Sequence, residues 1–388
     1  MNRSPNRSGI CLIAQTLDLS GGHAVAENML RILTSFAPQI FVLTSFYPQK
    51  AVFDSKIHLV NLKFDDKKQT MLIRIPKYIL LQMKISYELL RMSSAIECIF
   101  FYLGAMPLFL PMLTAKLLGK RTIMAATGSS AATARYTYKR RVFRLGSLIF
   151  PRILMTLENI NFRLADRIIV ESEDAGHLLG LERFENKTFV NSAVYLDFDL
   201  FKVKKDFKER RNLVGYIGRL SAEKGVLELT KAVSLILERK EDIEFLIIGD
   251  GDLRGDMENM LREKGALAKV RFTGWIHHDE LPDYMNELKL VIAPSYTEGG
   301  IPNAIKEAMA CGVVALLSPA AAADITKDGE EAFILENNSP ECITDKVSQV
   351  LEYPQIEKVV ANARKFVEEK YSFENVSKRY EKILYETT

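Results

Sequence analysis

The feature that most restricts the fold is a repeated spacing of short apolar runs, each separated from the next by a helical segment. In the first half the runs fall at 10–15 (ICLIAQ), 39–44 (QIFVLT), 57–60, 97–102 (ECIFFY), 121–125 and 167–171 (RIIVE). In the second half they fall at 213–218 (LVGYIG), 243–249 (IEFLIIG), 269–273, 289–293 (KLVIA) and 313–318 (VVALLS). The runs are continuously apolar rather than alternating, as expected of parallel strands buried on both faces. Between them, sets such as Val226, Leu229, Val233, Ile236 and Leu237 share one helical face. This alternation predicts an α/β protein with doubly wound parallel sheets. A chain of 388 residues exceeds what one core of ~250–300 residues holds, so two such domains are expected. The charged stretch 202–212 (KVKKDFKERRN) reads as a linker, dividing 1–205 from 206–372. The amphipathic end, 373–388, reads as a helix that packs back on the first domain.

Open parallel sheets bind ligands beyond the carboxyl ends of their strands. Three turns fall there. The first, 294–312 (PSYTEGGIPNAIKEAMACG), follows a strand directly. Its Gly299 and Gly300 leave backbone N–H groups uncovered, and Pro302 suits the start of a helix beginning near Asn303. That helix directs its positive end at whatever lies above the sheet, and Glu298 and Glu307 flank the spot. The second turn, 218–225 (GRLSAEKG), brackets a helix start with Arg219 and Lys224, two cations suited to a diphosphate. The third, Ser20-Gly21-Gly22-His23, is a glycine turn after the first strand.

Net charge is +3, but it is unevenly spread. Residues 67–167 hold 17 Lys and Arg against 4 acids, and no acid lies between Glu97 and Glu158. The cations are interleaved with apolar side chains, as in Arg135, Tyr136, Lys139, Arg140, Arg141, Phe143 and Arg144. A basic surface beside apolar side chains suits an anionic membrane interface. It does not form a recognisable nucleic-acid module, so a nucleic-acid partner is not expected. The uncharged run 99–115 is interrupted by Gly104, Pro107 and Pro111. It reads as a buried strand, a turn and a helix rather than a membrane span. Cys11, Cys98, Cys311 and Cys342 have neither zinc-site nor disulfide-framework spacing. The apolar run 10–14 is too short for a signal-peptide core, so a cytoplasmic chain is expected.

With these residues in view, the chain resembles the retaining, nucleotide-sugar-dependent glycosyltransferases of the GT-B fold, the group 1 or family four class. The resemblance runs through 213–370. It is carried by GRLSAEKG, FLIIGDGDL (245–253), VRFTGWIHHDELPDYM (270–285) and PSYTEGGIPNAIKEAMACG. The first half matches only through its glycine turn and RLADRIIVES (163–172). The resemblance implies two facing Rossmann-like domains with the active site in the cleft between them. It assigns Arg219 and Lys224 to the donor diphosphate and Glu307 to the ribose hydroxyls. Glu298 and the backbone of Gly299, Gly300, Ile301, Pro302 and Asn303 would meet the donor sugar and distal phosphate. The base would lie near Gly249, Gly251 and the 274–276 segment ending at Ile276, and Gly218 would be a further donor contact. Gly21 and Gly22 would close over the phosphates from the other domain.

Two departures stand out. The family separates its two glutamates by seven residues, whereas eight lie between Glu298 and Glu307. A family histidine expected after the fifth strand is replaced by Thr127-Gly128-Ser129, leaving His23, Thr127 and Ser129 as candidate acid–base or acceptor contacts. The pairs Asp197/Asp199 and Asp250/Asp252 spell a metal-binding pattern of another glycosyltransferase fold. With Arg219 and Lys224 to neutralise phosphate, no metal or other cofactor is expected. The reading is a peripheral transferase on the inner membrane face, moving a sugar from a UDP- or GDP-sugar to a lipid-linked or glycolipid acceptor. A soluble saccharide acceptor, or a non-catalytic subunit of a transferase complex, are the alternatives.

Overall fold

The computed structural model describes residues 8–14, 22–44, 54–62, 71–126, 146–171, 173–191, 193–296, 298, 300–322 and 327–385. Two units result: Met1–Val194 with Val376–Thr388, and Tyr195–Asn375. In the first, strands β1 (Gly9–Ala14), β2 (Ile40–Thr44), β3 (Ile57–Asn61), β4 (Ile96–Phe101), β5 (Arg121–Ala126), β6 (Arg167–Val170) and β7 (Thr188–Val190) form one parallel sheet. Their order is β3-β2-β1-β4-β5-β6-β7. Helices α1 (Gly22–Phe36), α2 (Met71–Arg91), α3 (Phe109–Leu117), α4 (Gly146–Leu164) and α5 (Glu173–Leu178) connect them. The rightward steps β3 to β4 to β5 to β6 put α2, α3 and α4 on one face, because parallel crossovers are right-handed. Leu81, Ile85, Met112 and Phe162 of these helices accordingly share one core with Ile13, Phe101 and Met124 of the strands. The 99–115 run is strand to Phe101, a turn, then α3, with Pro111 in the first turn of the helix, where no N–H is needed. Among the described residues, no helix is long and apolar enough to cross a membrane.

The second unit has a six-stranded parallel sheet of β8 (Leu213–Ile217), β9 (Glu244–Ile248), β10 (Val270–Gly274), β11 (Leu290–Ala293), β12 (Val314–Leu317) and β13 (Phe333–Ile334). Its order is β10-β9-β8-β11-β12-β13. The connections are α6 (Val226–Arg239), α7 (Arg254–Glu263), α8 (Leu281–Met285), α9 (Asn303–Ala310), α10 (Pro319–Ala322), α11 (Pro340–Leu351) and α12 (Ile356–Tyr371). Both sheets therefore reverse direction once, beside their first strand, which is the arrangement that opens a ligand crevice at the switch point.

The last helix, α13 (Phe373–Tyr385), buries Val376, Tyr380, Ile383 and Leu384, one face at helical spacing. From Val376 on it belongs to the first unit, where the Tyr380 and Phe100 rings lie 6.4 Å apart. Arg121 donates to Leu384 O at 2.5 Å, and Arg167 to Lys382 O at 3.2 Å and to Ile383 O. Cations thus satisfy carbonyls at the helix's negative end.

The charged 202–212 stretch is not a free linker. Asn286 ties down both Lys204 N (2.6 Å) and Lys202 O (3.0 Å), and Arg210 is only 3% exposed. Arg210 donates to Lys205 O, Leu288 O, Gly312 O and Cys311 O at 2.8–3.1 Å. Two of these carbonyls, Cys311 O and Gly312 O, follow α9, so a buried cation faces that helix's negative end.

Candidate functional site

In the second unit, β8 and β11 are neighbours in the sheet, and their onward connections run to opposite sides. The turn 218–225 leaves β8 and the turn 294–302 leaves β11, so both motifs meet at the switch point. They are joined through the backbone, since Tyr296 N donates to Glu223 O at 2.9 Å. Gly225 is left-handed (φ 68°), and a Cβ there would stand 2.0 Å from Pro294 O. Only glycine lets the turns approach this closely. Pro294 O also accepts from Asn338 Nδ2 at 2.7 Å, and Ser295 O from Ser318 Oγ at 2.6 Å. The ligand-side turn after β11 is therefore held from below. Next to it, Gly249 (φ 131°) lies against Gly218, where a Cβ would sit 1.9 Å from Gly218 O. The ends of β8 and β9 thus form a floor of bare backbone.

Charged groups stand on this floor. Lys224 Nζ donates to Glu298 Oε1, and both side chains are mostly buried. Glu298, despite the extra residue in its turn, is aimed at the lysine of the other motif. Arg219 is 70% exposed and held only loosely, with Nη2 3.9 Å from Glu223 Oε1. Helix α9 begins after Pro302, which is its N-cap rather than its first helical residue; no side chain caps the helix and no acid occupies its first turn. Ile305 N donates to Pro302 O at 3.0 Å, which leaves the N–H groups of Asn303 and Ala304 at the helix start to face an external acceptor. Ile301 is buried in the core below the turn, so it anchors the loop, and its backbone is what remains to meet a ligand. Burial, and then the nearby Glu298, push the Tyr216 phenol far up; its hydroxyl donates to Arg219 O at 2.8 Å.

Glu307 lies on α9 with its side chain 11% exposed, and its Oε1 is 2.9 Å from His278 Nε2. The hydrogen bond that His278 donates to the Glu307 carboxylate raises the His278 pKa against the opposing effect of burial. The Phe201 ring packs edge-on against the same imidazole at 5.1 Å. Sequence reasoning missed His278. It stands inside WIHHDELPDYM, where two adjacent histidines give no sign of which one turns inward.

The remaining expected residues divide as follows. Gly218, Gly249, Ile276, Gly300, Ile301, Pro302, Asn303 and Glu307 lie at or beyond the ends of β8, β9, β10 and β11. Gly22 opens α1 and His23 follows it. Gly21, Thr127, Ser129 and Gly299 lie outside the described residues, as do Arg135, Tyr136, Lys139, Arg140, Arg141, Phe143 and Arg144. Both acid pairs have local tasks. Asp197 Oδ1 accepts from Asp199 N and Leu200 N, and Asp250 accepts from Gly251 N and pairs with Arg254. Among the described residues no group of three or more His, Cys, Asp or Glu is arranged to hold a metal ion. The four cysteines are free thiols.

Known proteins share this architecture. Residues 211–353 match the family described as "Glycosyl transferases group 1". An uncharacterised glycosyltransferase of Methanocaldococcus jannaschii is 28% identical over 242 residues, 59% of this chain and 60% of that one. The alpha-D-kanosaminyltransferase of Streptomyces kanamyceticus is 30% identical over 207 residues, covering 50% and 52%. The chain thus spans between half and two thirds of these relatives' lengths. The crystal structure of Anabaena HepE in complex with UDP superposes with a TM-score of 0.68 at 15% identity, covering 96% of this chain and 98% of that one. The chain has the GT-B fold, and its segment 211–353 carries the likeness to group 1 glycosyltransferases.

Proposed function

We propose that this protein is a glycosyltransferase. It takes a sugar from a UDP- or GDP-sugar and passes it, with retention, to a lipid-linked or glycolipid acceptor at the cytoplasmic face of a membrane. One observation carries the reading. Lys224, in the turn after β8, donates to Glu298, in the turn after β11, between two strands that neighbour each other at the switch point; Arg219 shares the first turn, and the uncapped start of α9 follows the second. The neighbouring UDP complex of HepE supports a nucleoside diphosphate as the ligand.

The chemistry follows from charge. Breaking the bond between the anomeric carbon and the phosphate oxygen leaves both bonding electrons on the phosphate. Lys224, Arg219 and the N–H groups of α9 stabilise that charge, which is electrostatic catalysis. As phosphate takes Lys224, Glu298 is released to face the positive anomeric carbon. The acceptor hydroxyl attacks from the face the phosphate leaves and gives its proton to a phosphate oxygen, so no protein nucleophile is needed. Glu307 holds the ribose hydroxyls. The side chains supply the neutralising charge, and no metal has a part in this scheme. The acceptor class rests on the acid-free basic composition of 98–157.

The test is nucleoside diphosphate release from each common UDP- and GDP-sugar, with and without vesicles carrying polyprenyl-phosphate or glycolipid acceptors. Release with one donor, lost in Arg219→Ala and Lys224→Ala, supports the reading. Donor binding without release under every acceptor condition refutes it, and makes the chain a non-catalytic binding subunit.

A further inference from the structure

Fourteen large apolar side chains are exposed among the described residues, and nine of them lie on α2, α3 and α4. These three helices form one layer on one face of the first sheet, α2 packed on α3 and α3 on α4. The surface in question is the outer side of that layer. On α2 the exposed residues are Ile79, Leu80, Met83, Tyr87 and Leu90, each 47–62% exposed. Their spacing of three and four makes a single stripe, on the side opposite the buried Leu81, Ile85 and Leu89. A helix on a solvated sheet face should carry polar residues there. On α3, Leu113 and Leu117 are exposed, the latter 80%; on α4, Ile153 and Met155 are.

Charge on the same layer has one outward sign. Lys84 and Arg91 flank the α2 stripe, and Arg152 and Arg163 are exposed on α4. The only acids on the three helices are Glu88 and Glu158. Glu88 has a side chain 16% exposed and is paired with Arg91 at 3.4 Å; Glu158 is buried. We infer that this layer docks on an anionic lipid bilayer, with the α2 stripe entering the interface and the cations meeting the headgroups. A second copy of this chain fits less well. A two-fold contact of the patch with itself would set cations against cations, with no outward acid to pair them. The inference gives the lipid-acceptor reading a surface and rests on it only for purpose, since binding is measured without donor.

The experiment is flotation of the full chain with vesicles of phosphatidylcholine alone, or with about a third phosphatidylglycerol. We expect the parent to float only with the anionic vesicles, and less as salt screens the headgroups. Leu80→Ser/Met83→Ser/Tyr87→Ser should lower the partition coefficient at least about tenfold. Lys84→Glu alone should lower it at least about fivefold, the effect of one cation at such a surface. These side chains are exposed, so ellipticity and UDP binding in solution should match the parent; if the triple variant misfolds, Lys84→Glu decides. A parent that does not float, or that floats equally with neutral vesicles, overturns the inference. So does flotation that neither variant weakens. A lipid-free dimer that the triple variant dissociates, in a chain that ignores vesicles, assigns the surface to a second copy instead. A parent that floats but binds no UDP leaves this surface standing and removes the proposed function.

Discussion

Replacing Arg210 by methionine keeps most of the aliphatic volume and removes five hydrogen bonds to four carbonyls. Arg210 is 3% exposed, so those oxygens lose their partners in a place water reaches poorly. A buried polar group left unsatisfied costs ~1–3 kcal/mol, and removing the partner of a buried charged network costs ~3–5 kcal/mol in total. The four losses are not additive, because Cys311 O and Gly312 O follow one helix and relax together. We therefore expect ~3–5 kcal/mol from a domain whose whole stability is of order 5–15 kcal/mol. With a urea slope of about 2 kcal/mol/M the midpoint should fall by about 2 M. The protein's one tryptophan, Trp275, lies in the same unit with its ring 5.9 Å from that of His277. That side chain is 75% exposed, so ellipticity rather than its emission follows the transition. Arg210→Lys keeps a charge but not the fork, and should fall between the two. A midpoint shift under about 0.5 M in Arg210→Met would show that the carbonyls find other partners and would sink the argument.

Three further outcomes are expected. Glu298→Gln should bind UDP at least as tightly as the parent by calorimetry, since the carboxylate no longer competes for Lys224, while nucleoside diphosphate release from a donor sugar falls at least about tenfold; unchanged release would remove Glu298 from the chemistry. Gly249→Ala should cost soluble yield or the transition midpoint heavily, because its Cβ meets Gly218 O at 1.9 Å, whereas Gly255→Ala, with no atom within 4 Å on α7, should gain about 0.5–1 kcal/mol; equal effects would contradict the close approach. His278 has a raised pKa, so its pairing with Glu307 stabilises the fold fully below the ordinary histidine value and is lost as pH rises through the raised one. The difference in melting temperature between the parent and His278→Asn should shrink from about pH 6 to about pH 9, and by a modest amount because the imidazole is half exposed; a difference that grows with pH would reverse the assignment.

How far the sequence could be read depended on whether a residue's environment was local. Continuous apolar runs such as ICLIAQ and FLIIG became strands because burial on both faces leaves no room for a polar alternate. The three-residue β7 and the two-residue β13, both at sheet edges, have no such run, and the sequence pattern marks neither. In the sequence Arg210 reads as linker charge, since a lysine- and arginine-rich stretch usually seeks water; three of its four carbonyl partners come from residues 78 to 102 positions away. The two site turns were legible from glycine, proline and charge at strand ends. Their pairing was not. Lys224 and Glu298 are 74 residues apart and meet only because β8 neighbours β11, a fact of strand order rather than of either motif.

That strand order bears on the reaction itself. On the proposed reading the site must hold two phosphates, yet it must also persist without them. A lysine this enclosed, beside an uncapped helix start, would repel its surroundings if it stood alone. Glu298 neutralises it at rest and is the group phosphate has to replace. The exchange does two things at once. It keeps the Coulomb gain of donor binding moderate, because one ion pair is traded for another. It also frees a carboxylate beside the anomeric carbon only when donor is present, so the group that steadies positive charge becomes available together with the charge. The additional residue between Glu298 and Glu307 fits this scheme. A longer turn lets Glu298 reach across to the β8 side while Glu307, fixed on α9 and held by His278, keeps its place. Deleting Gly300 should therefore separate the two glutamates' roles: UDP affinity, carried by Glu307 and the cations, should survive better than turnover. A deletion that leaves turnover intact would mean the turn length has no part in aiming Glu298.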